Sequence, residues 1–570
     1  MNKSILFFDA TTKLVNPQDE FFIGENTREL LIDEDTLIDE VLTTIINDNL
    51  LEEEYTNIIL PACFGAILSN FIGLRLATQI RCTPGVNQTS NIFLYSFTGI
   101  QDYFNNECFN ILKTTGVSLI DYDIQTILNC FNKQQRILTP NNLKQQVSNL
   151  KLDVPLNYAD SHSVANEWAI YRWANALNTS DNQILKIETK LENDLYFKYL
   201  KAINPVSEIE EINLKELKLN FSGDPKVLYI DDEAEKGWWE IFCKILDDEN
   251  EISFSHLDDE FNQKNQNEII DISLNKVIEE NIDIVILDLR LHKEDFNNKP
   301  INEITGFKIL EKIKNHNKGI QVIIFSATNK IWNLQALQNA GADGFIIKES
   351  PNNNYEPGFT KKSIEKMLQS INDCLENIFL KDFYIQHKKL RAELIPRKNF
   401  KKSTHPLPKE FVDEVLKWFE LSLNILQNRL SLENLTSVFL IYFSIIENMS
   451  NRIIETENPI SEGEFNKFQF RKNFERLNNF VKDRDSEDFY RKTNYEYKSK
   501  TRSLSWAIKI YNTIDFISEE NLGIESINEL VIKRNKIIHL NSTFGDFIEV
   551  EKRDIILLNK IIFRGLINII

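Results

Sequence analysis

Residues 282–291 read IDIVILDLRL, a short apolar run that stops at Asp288. An apolar run of this length, bounded by polar residues, predicts a buried strand. The pattern recurs three times; the further runs are KVLYI before Asp231 and Asp232, QVIIF before Ser326, and GFIIK, which ends in Lys348. Helical patterns stand between the runs, so the alternation predicts a doubly wound parallel sheet of the α/β class.

The polar residues at the ends of these strands predict a single site, because ligands of a doubly wound sheet sit beyond the carboxyl ends of its strands. The carboxylates of Asp231, Asp232 and Asp288 would repel one another there, and a hard cation such as Mg²⁺ relieves the repulsion. Lys348 can pair with one phosphoryl oxygen, and the hydroxyl of Ser326 can take another. The pattern predicts a site that accepts a phosphoryl group on Asp288.

These motifs make residues 224–380 resemble the receiver domain of two-component response regulators. The resemblance implies a histidine kinase as partner and gives each motif residue a role. Asp288 is then the phosphoacceptor; Asp231, Asp232, Asp288 and the backbone carbonyl of Arg290 are Mg²⁺ ligands; Ser326, Phe345 and Lys348 bind the phosphoryl group and switch. The loop between Asp288 and Gly306 is longer than in the family, and we expect it to form a lid or a partner contact.

The first 130 residues repeat the order and spacing of these runs, but the chemistry is broken. Asp9 survives from the acid pair but is followed by Ala10, and Pro61, which carries no nucleophile, stands at the phosphoacceptor position. Ser96 keeps the hydroxyl, whereas Asp121 replaces the lysine and would repel a phosphoryl oxygen. We predict a degenerate receiver-like domain that accepts no phosphate and serves in dimerisation or partner docking. An unrelated α/β domain is the alternative.

Near the C-terminus the stretch RNKIIH, residues 534–539, sets Arg534, Asn535 and His539 into an otherwise apolar helical pattern. Asn535 and His539 are four residues apart and share a helix face, toward which the long side chain of Arg534 can swing. A histidine can exchange a proton with an RNA 2′-hydroxyl or leaving oxygen, and an arginine can hold the phosphate. In the structural alternative, Arg534 pairs with a carboxylate and His539 is an ordinary helix-end histidine.

The region around this stretch, about residues 405–570, resembles the HEPN superfamily of helical domains, whose ribonuclease members carry an arginine and a histidine at similar spacing. The long pattern FLIYFSIIENMS, which contains Glu447, adds to the resemblance. A metal-independent endoribonuclease is what the resemblance implies, with Arg534, Asn535 and His539 as catalytic residues and RNA as substrate. It further implies that two protomers pool their motifs.

The composition bounds the class of protein. The net charge of −20 over 570 residues argues against a general nucleic-acid coat. The acidity lies upstream of residue 381, so an RNA-facing activity is better placed in the C-terminal region. No apolar stretch is long enough to span a membrane. Six scattered cysteines without metal-type spacing indicate reduced thiols in a cytoplasmic protein.

Together these patterns predict a multidomain chain that ends in an all-α domain. The predicted parts are a degenerate receiver-like domain at 1–130, a helical connector at 131–222, a phosphoacceptor receiver domain at 223–380 and a HEPN-like effector domain at 381–570. We expect a homodimeric response regulator whose phosphorylation controls an endoribonuclease in phage defence or stress growth arrest. The alternative is a phosphorylation-controlled scaffold whose HEPN-like domain is a non-catalytic dimerisation or protein-binding module.

Overall fold

The structure is a computed structural model. It describes residues 3–9, 26–32, 37–65, 70–154, 161–204, 212–213, 218–248, 250–257, 261–296, 299–327, 331–350, 358–394, 409–427, 431–462, 465–470, 510, 513–514, 524–539 and 549–569. Within these residues, no helix combines the length and the apolar character that crossing a membrane requires.

A five-stranded parallel sheet organises the N-terminal unit, with strand order β2-β1-β3-β4-β5. Its elements are β1 (Ser4–Phe8), β2 (Thr27–Leu31), α1 (Asp39–Leu50), β3 (Asn57–Pro61), α2 (Ile72–Cys82), β4 (Asn91–Ser96), β5 (Val117–Asp121) and α3 (Ile124–Phe131). The strands β1, β3 and β4 are buried along their whole length, as expected where helices cover both faces of a parallel sheet.

The segment predicted as a connector is mainly helical where the structure describes it. It contains α4 (Pro140–Ser148), α5 (Ser161–Leu177), α6 (Asn182–Asn193) and α7 (Leu195–Ile203). Helix α7 packs on α2 of the N-terminal unit, and the buried ammonium group of Lys198 donates to Thr43 Oγ1 (2.6 Å) and Gln79 Oε1 (3.0 Å) there. These helices therefore form one body with the N-terminal sheet.

The second sheet has the same topology as the first, since its order is β10-β9-β8-β6-β7 and all its strand pairs are parallel. Its elements are β6 (Lys226–Ile230), α8 (Trp238–Cys243), β7 (Ser253–Leu257), α9 (Gln266–Glu279), β8 (Ile284–Leu287), α10 (Thr305–His316), β9 (Gln321–Ser326), α11 (Ile331–Asn339), β10 (Gly344–Ile347) and α12 (Phe359–Asn377). In both sheets the chain visits the positions in the order 2-1-3-4-5.

The two faces of this second sheet enter different cores. Val227, Tyr229 and Phe325 contribute to a core that continues through α5, α6 and α7 into the N-terminal sheet. Leu228 and Ile230, one residue out of step along the same strand, pack instead in a core with residues of α9, α10 and α11. The connector helices thus cover the face that carries α8 and α12.

The C-terminal region has a separate core, formed mainly by α13 (Phe379–Leu394), α14 (Lys409–Gln427), α15 (Leu432–Ile453), α16 (Ile524–His539) and α17 (Lys552–Ile569). It also contains an antiparallel pair, β11 (Ile454–Glu462) and β12 (Phe465–Phe470). The prediction of an all-α domain is wrong in this segment, because Pro459 interrupts the helical pattern that ends in α15.

Candidate functional site

Three carboxylates meet at the carboxyl end of the second sheet. Asp231 directly follows β6, and Asp288 directly follows the adjacent strand β8. The backbone N–H of Asp288 donates to the carbonyl of Ile230 at 2.9 Å, so the pairing of the two strands extends to the site. Oxygens of Asp231, Asp232 and Asp288 lie within 4.8 Å of one another, and Asp231 and Asp288 are completely buried. This set of hard oxygen donors suits Mg²⁺.

Lys348, directly after β10, supplies the positive charge of this cluster. Its ammonium nitrogen lies 2.6 Å from Asp231 Oδ2 and 3.8 Å from Asp288 Oδ1, and its side chain is 1% exposed. Burial alone would lower the pKa of Lys348, but the attraction of the neighbouring carboxylates outweighs it, so the pKa is raised. The lysine therefore stays protonated and able to bind an anion.

Tyr229 is a site residue that the sequence analysis missed. Its hydroxyl donates to Asp231 Oδ2 at 2.5 Å, while the other carboxylate oxygen accepts from the backbone N–H of Glu233 at 2.8 Å. Burial, together with the charge of Asp231, raises the pKa of Tyr229, so the phenol remains a donor. The sequence could have pointed to Tyr229, because it lies two residues before Asp231 and side chains two apart along a strand share a face.

The predicted switch residues lie on the neighbouring strands. Ser326 is the buried last residue of β9, and its carbonyl accepts from the backbone N–H of Lys348 at 2.9 Å. Phe345 on β10 is half-buried and packs against the core on the opposite face, beside α11. The structure thus brings the backbone of Ser326 next to Lys348 and leaves Phe345 against the core of α9, α10 and α11, and their switching remains a prediction.

The long loop after Asp288 folds back on itself where it is described. The buried carboxylate of Asp295 accepts from the backbone N–H groups of Leu291 (3.1 Å), His292 (3.0 Å) and Thr305 (3.2 Å), which ties both ends of the loop together. The backbone N–H of Arg290 donates to Asp288 Oδ2 at 3.3 Å. The loop is therefore anchored beside the acceptor, and its role as a lid or partner contact stays a prediction.

The N-terminal unit keeps the scaffold of this site without its chemistry. A methyl group added at Gly306 would clash with the carbonyl oxygen of Asp288, and one added at Gly73 would clash with that of Pro61. The same close approach of helix to strand end therefore exists in both units. The hydroxyl of Ser96 is hydrogen-bonded to that of Tyr103, whereas Asp121, at the position that corresponds to the lysine, is exposed. Ala10 lies outside the described residues.

The C-terminal candidate residues are partly described. Arg534 on α16 lies 2.9 Å from Glu447 Oε1 on α15, and it donates to Asn535 Oδ1 at 3.0 Å. The pairing of Arg534 with a carboxylate is the contact that the structural alternative expects. His539 ends α16, and its side chain lies outside the described residues.

Comparison with known proteins agrees with the two sheets. Residues 265–355 match the family described as response regulator receiver domain, and residues 11–120 match the inactive receiver domain. Among solved structures, the chemotaxis protein CheY4 of Vibrio cholerae is 19% identical, over 26% of this chain and 98% of that chain, with a TM-score of 0.18. No curated protein matches.

The chain therefore contains two receiver-type domains, one inactive and one of the response-regulator kind, as the sequence analysis predicted. The receiver match includes the positions of Asp288, Ser326, Phe345 and Lys348 and begins after the acid pair at 231 and 232.

Proposed function

We propose that this chain is a response regulator in which a histidine kinase phosphorylates Asp288 and the receiver domain controls the C-terminal domain. The observation that carries this proposal is the buried cluster in which Lys348 contacts Asp231 and lies within 4 Å of Asp288. A carboxylate oxygen of Asp288 would attack the phosphorus of a phosphohistidine. The O–P bond forms as the P–N bond breaks, and the imidazole nitrogen keeps the electron pair.

The other residues would act on the transferred group. Lys348 would pair with a phosphoryl oxygen, and Ser326 would donate its hydroxyl to another, after which Phe345 moves inward. Asp231, Asp232, Asp288 and the backbone carbonyl of Arg290 would hold Mg²⁺, which supplies positive charge that offsets the phosphoryl oxygens. The repacked edge at β10 would then shift an equilibrium between protomers.

The proposed output is a HEPN-type endoribonuclease in residues 381–570, active in a homodimer in the cytoplasm. One His539 would take the proton of the RNA 2′-hydroxyl as the 2′-oxygen bonds to phosphorus, and the His539 of the second protomer would protonate the 5′-oxygen as the phosphorus–5′-oxygen bond breaks. Arg534 would hold the scissile phosphate, with Asn535 on the face of His539. Attack by the RNA's own 2′-oxygen needs no metal. Growth arrest during phage infection or stress is the role that we propose for such cleavage.

The test combines phosphorylation and cleavage in one preparation. Acetyl phosphate should add one phosphoryl mass to the full chain and none to Asp288→Ala. Transfer RNA cleavage should change on phosphorylation in the wild type and be lost in His539→Ala and Arg534→Ala. If all three chains cleave RNA equally, or if none cleaves under phosphorylating conditions, the ribonuclease proposal fails while the receiver proposal stands.

A second candidate function is a phosphorylation-controlled scaffold with a non-catalytic C-terminal domain. The ion pair of Arg534 with Glu447 favours it, because an arginine used for packing two helices needs no substrate. In that case, Arg534→Gln and Glu447→Gln should lower stability by similar amounts, about 1 kcal/mol each for a half-buried pair. The wild type itself should then show no RNA cleavage above that of an empty-vector preparation, and this measurement separates the two candidates.

A further inference from the structure

A helix from outside the receiver domain lies against the phosphoacceptor site. Helix α5 packs on α8 and α12. The ring of Trp173 lies 5.4 Å from that of Trp238 and 5.6 Å from that of Phe325. The ammonium nitrogen of Lys348 lies over the rings of Trp238 and Phe325, at 5.8 and 5.2 Å from their centroids. The connector therefore builds part of the wall behind the lysine.

Helix α5 is also fastened to both loops that carry the site. Asn166 donates to Glu233, the residue after the acid pair, and accepts from the indole N–H of Trp238 at 3.3 Å. Arg172 Nε lies 2.6 Å from Oε1 of Glu349, the residue after Lys348. One helix thus contacts the loop of the acids and the loop of the lysine.

The pair of Arg172 with Glu349 is more than a surface contact. The two side chains are 4% and 0% exposed, and Glu349 also accepts from the hydroxyl of Thr360 at 2.8 Å. Burial raises the pKa of Glu349, which shows how costly the charge is there. Without the guanidinium of Arg172, the buried carboxylate of Glu349 would have no cation beside it. Because Glu349 is next in sequence to Lys348, its charge would attract the lysine and repel an incoming phosphoryl group.

We propose that Arg172 is a positioning residue of the phosphoacceptor site, supplied by the connector. By neutralising Glu349, it keeps Lys348 directed at Asp231 and Asp288 and keeps the pocket attractive to an anion. The connector helix α5, whose core is continuous with that of the N-terminal inactive receiver, would thereby raise the phosphoryl affinity of the second receiver. This inference rests on the proposed phosphoacceptor role of Asp288.

The test measures beryllofluoride affinity in the presence of Mg²⁺, by calorimetry on the full chain. Arg172→Gln leaves an uncompensated negative charge and should weaken binding about tenfold, the effect of one unit charge acting across a partly desolvated site. Glu349→Gln leaves an uncompensated guanidinium and should tighten binding several-fold. The double variant should return to within about threefold of the wild type, and Arg172→Lys should keep most of the affinity.

The controls separate this idea from the proposed function and from a purely structural role. Glu167→Gln on the same helix removes a pair with Lys190 on the side of α6 and should leave affinity unchanged. A wild type that binds no beryllofluoride contradicts the receiver proposal itself. A wild type that binds, with the Gln variants at 172 and 349 shifted in the same direction or not at all, overturns the role of Arg172. If Arg172→Gln does not fold, the tightening expected for Glu349→Gln decides alone.

Discussion

The acid cluster should make the receiver domain less stable when no divalent ion is present. Asp288 is completely buried, and it faces two further carboxylates but one lysine. Asp288→Asn removes its charge with almost no change in shape. We therefore expect this substitution to stabilise the metal-free receiver domain, although it removes the proposed phosphoacceptor.

The distances give the size of the effect. At an effective dielectric constant of about 20, a separation of 4.8 Å, the upper limit of the distances between these oxygens, corresponds to a repulsion of about 3.5 kcal/mol for each carboxylate pair. Two such pairs give about 7 kcal/mol, and the attraction between Asp288 and Lys348 at 3.8 Å offsets about 4 kcal/mol of it. Because Asp232 is partly solvated, we expect a net gain of about 2 kcal/mol in the free energy of unfolding for Asp288→Asn.

The assay is native-state hydrogen exchange of the amides in β8, since several domains make a single unfolding curve hard to interpret. Saturating Mg²⁺ should stabilise the wild type and remove the advantage of Asp288→Asn. The matched control is Asp283→Asn at the other end of β8, where the carboxylate pairs with Lys381 at 2.7 Å and its loss should destabilise. A gain for Asp288→Asn that persists unchanged in Mg²⁺, or a loss without it, would refute the reasoning.

Most of the strands that the sequence revealed are buried on both faces; the edge strand β10 was found because its apolar run GFII is continuous. IVIL and QVIIF are continuous apolar runs, and the polar residue after each run marks the site. The edge strand SFSHL (Ser253–Leu257) was missed because it is partly exposed and carries no apolar run. Its counterpart TRELL in the first sheet escaped detection for the same reason.

The long-range contacts could not be predicted from local patterns. Arg172 and Glu349 are separated by almost the whole receiver domain, and each alone resembles an ordinary surface charge. Only the packing of α5 on α8 and α12 makes their charges interact. The acids and Lys348 were predictable because the carboxyl ends of parallel strands lie along one edge of the sheet. This follows from the topology and needs no knowledge of side-chain packing.

Three further outcomes are expected. Gly306→Ala should destabilise the receiver by about 1–3 kcal/mol in hydrogen exchange, because its methyl group meets a backbone carbonyl, whereas Gly344→Ala, which faces side chains, should cost less. Burial lowers the pKa of Lys198 to about 8, so the folded chain loses this proton before the unfolded chain does; stability should rise between about pH 8 and 10.5, and Lys198→Met should abolish that rise in denaturant titrations. Lys348→Met leaves two buried carboxylates without their cation and should cost about 3–5 kcal/mol, a loss that Mg²⁺ reduces in the same exchange assay.

The position of the C-terminal domain constrains how any signal reaches it. Helix α13 docks at the amino ends of the receiver strands, where Lys381 pairs with Asp283 and its carbonyl accepts from the side-chain amide of Asn317 at 3.1 Å. Asp288, the proposed phosphoacceptor, lies at the opposite ends of these strands. Helix α12 connects the two ends of the sheet. Thr360 in its first turn donates to Glu349, and its last residue, Asn377, lies two positions before α13.

A helix of 19 residues spans about 28 Å, enough to run the depth of the sheet. A shift of Glu349, which contacts the first turn of α12, could therefore be passed along α12 to α13. Glu349 also pairs with Arg172, so the connector helix α5 and a phosphoryl group bound by Lys348 would act on neighbouring residues. On this geometry the inactive receiver could influence the second receiver without binding phosphate, because the connector helix packed beside it holds Glu349, the residue next to the proposed phosphoryl-binding lysine.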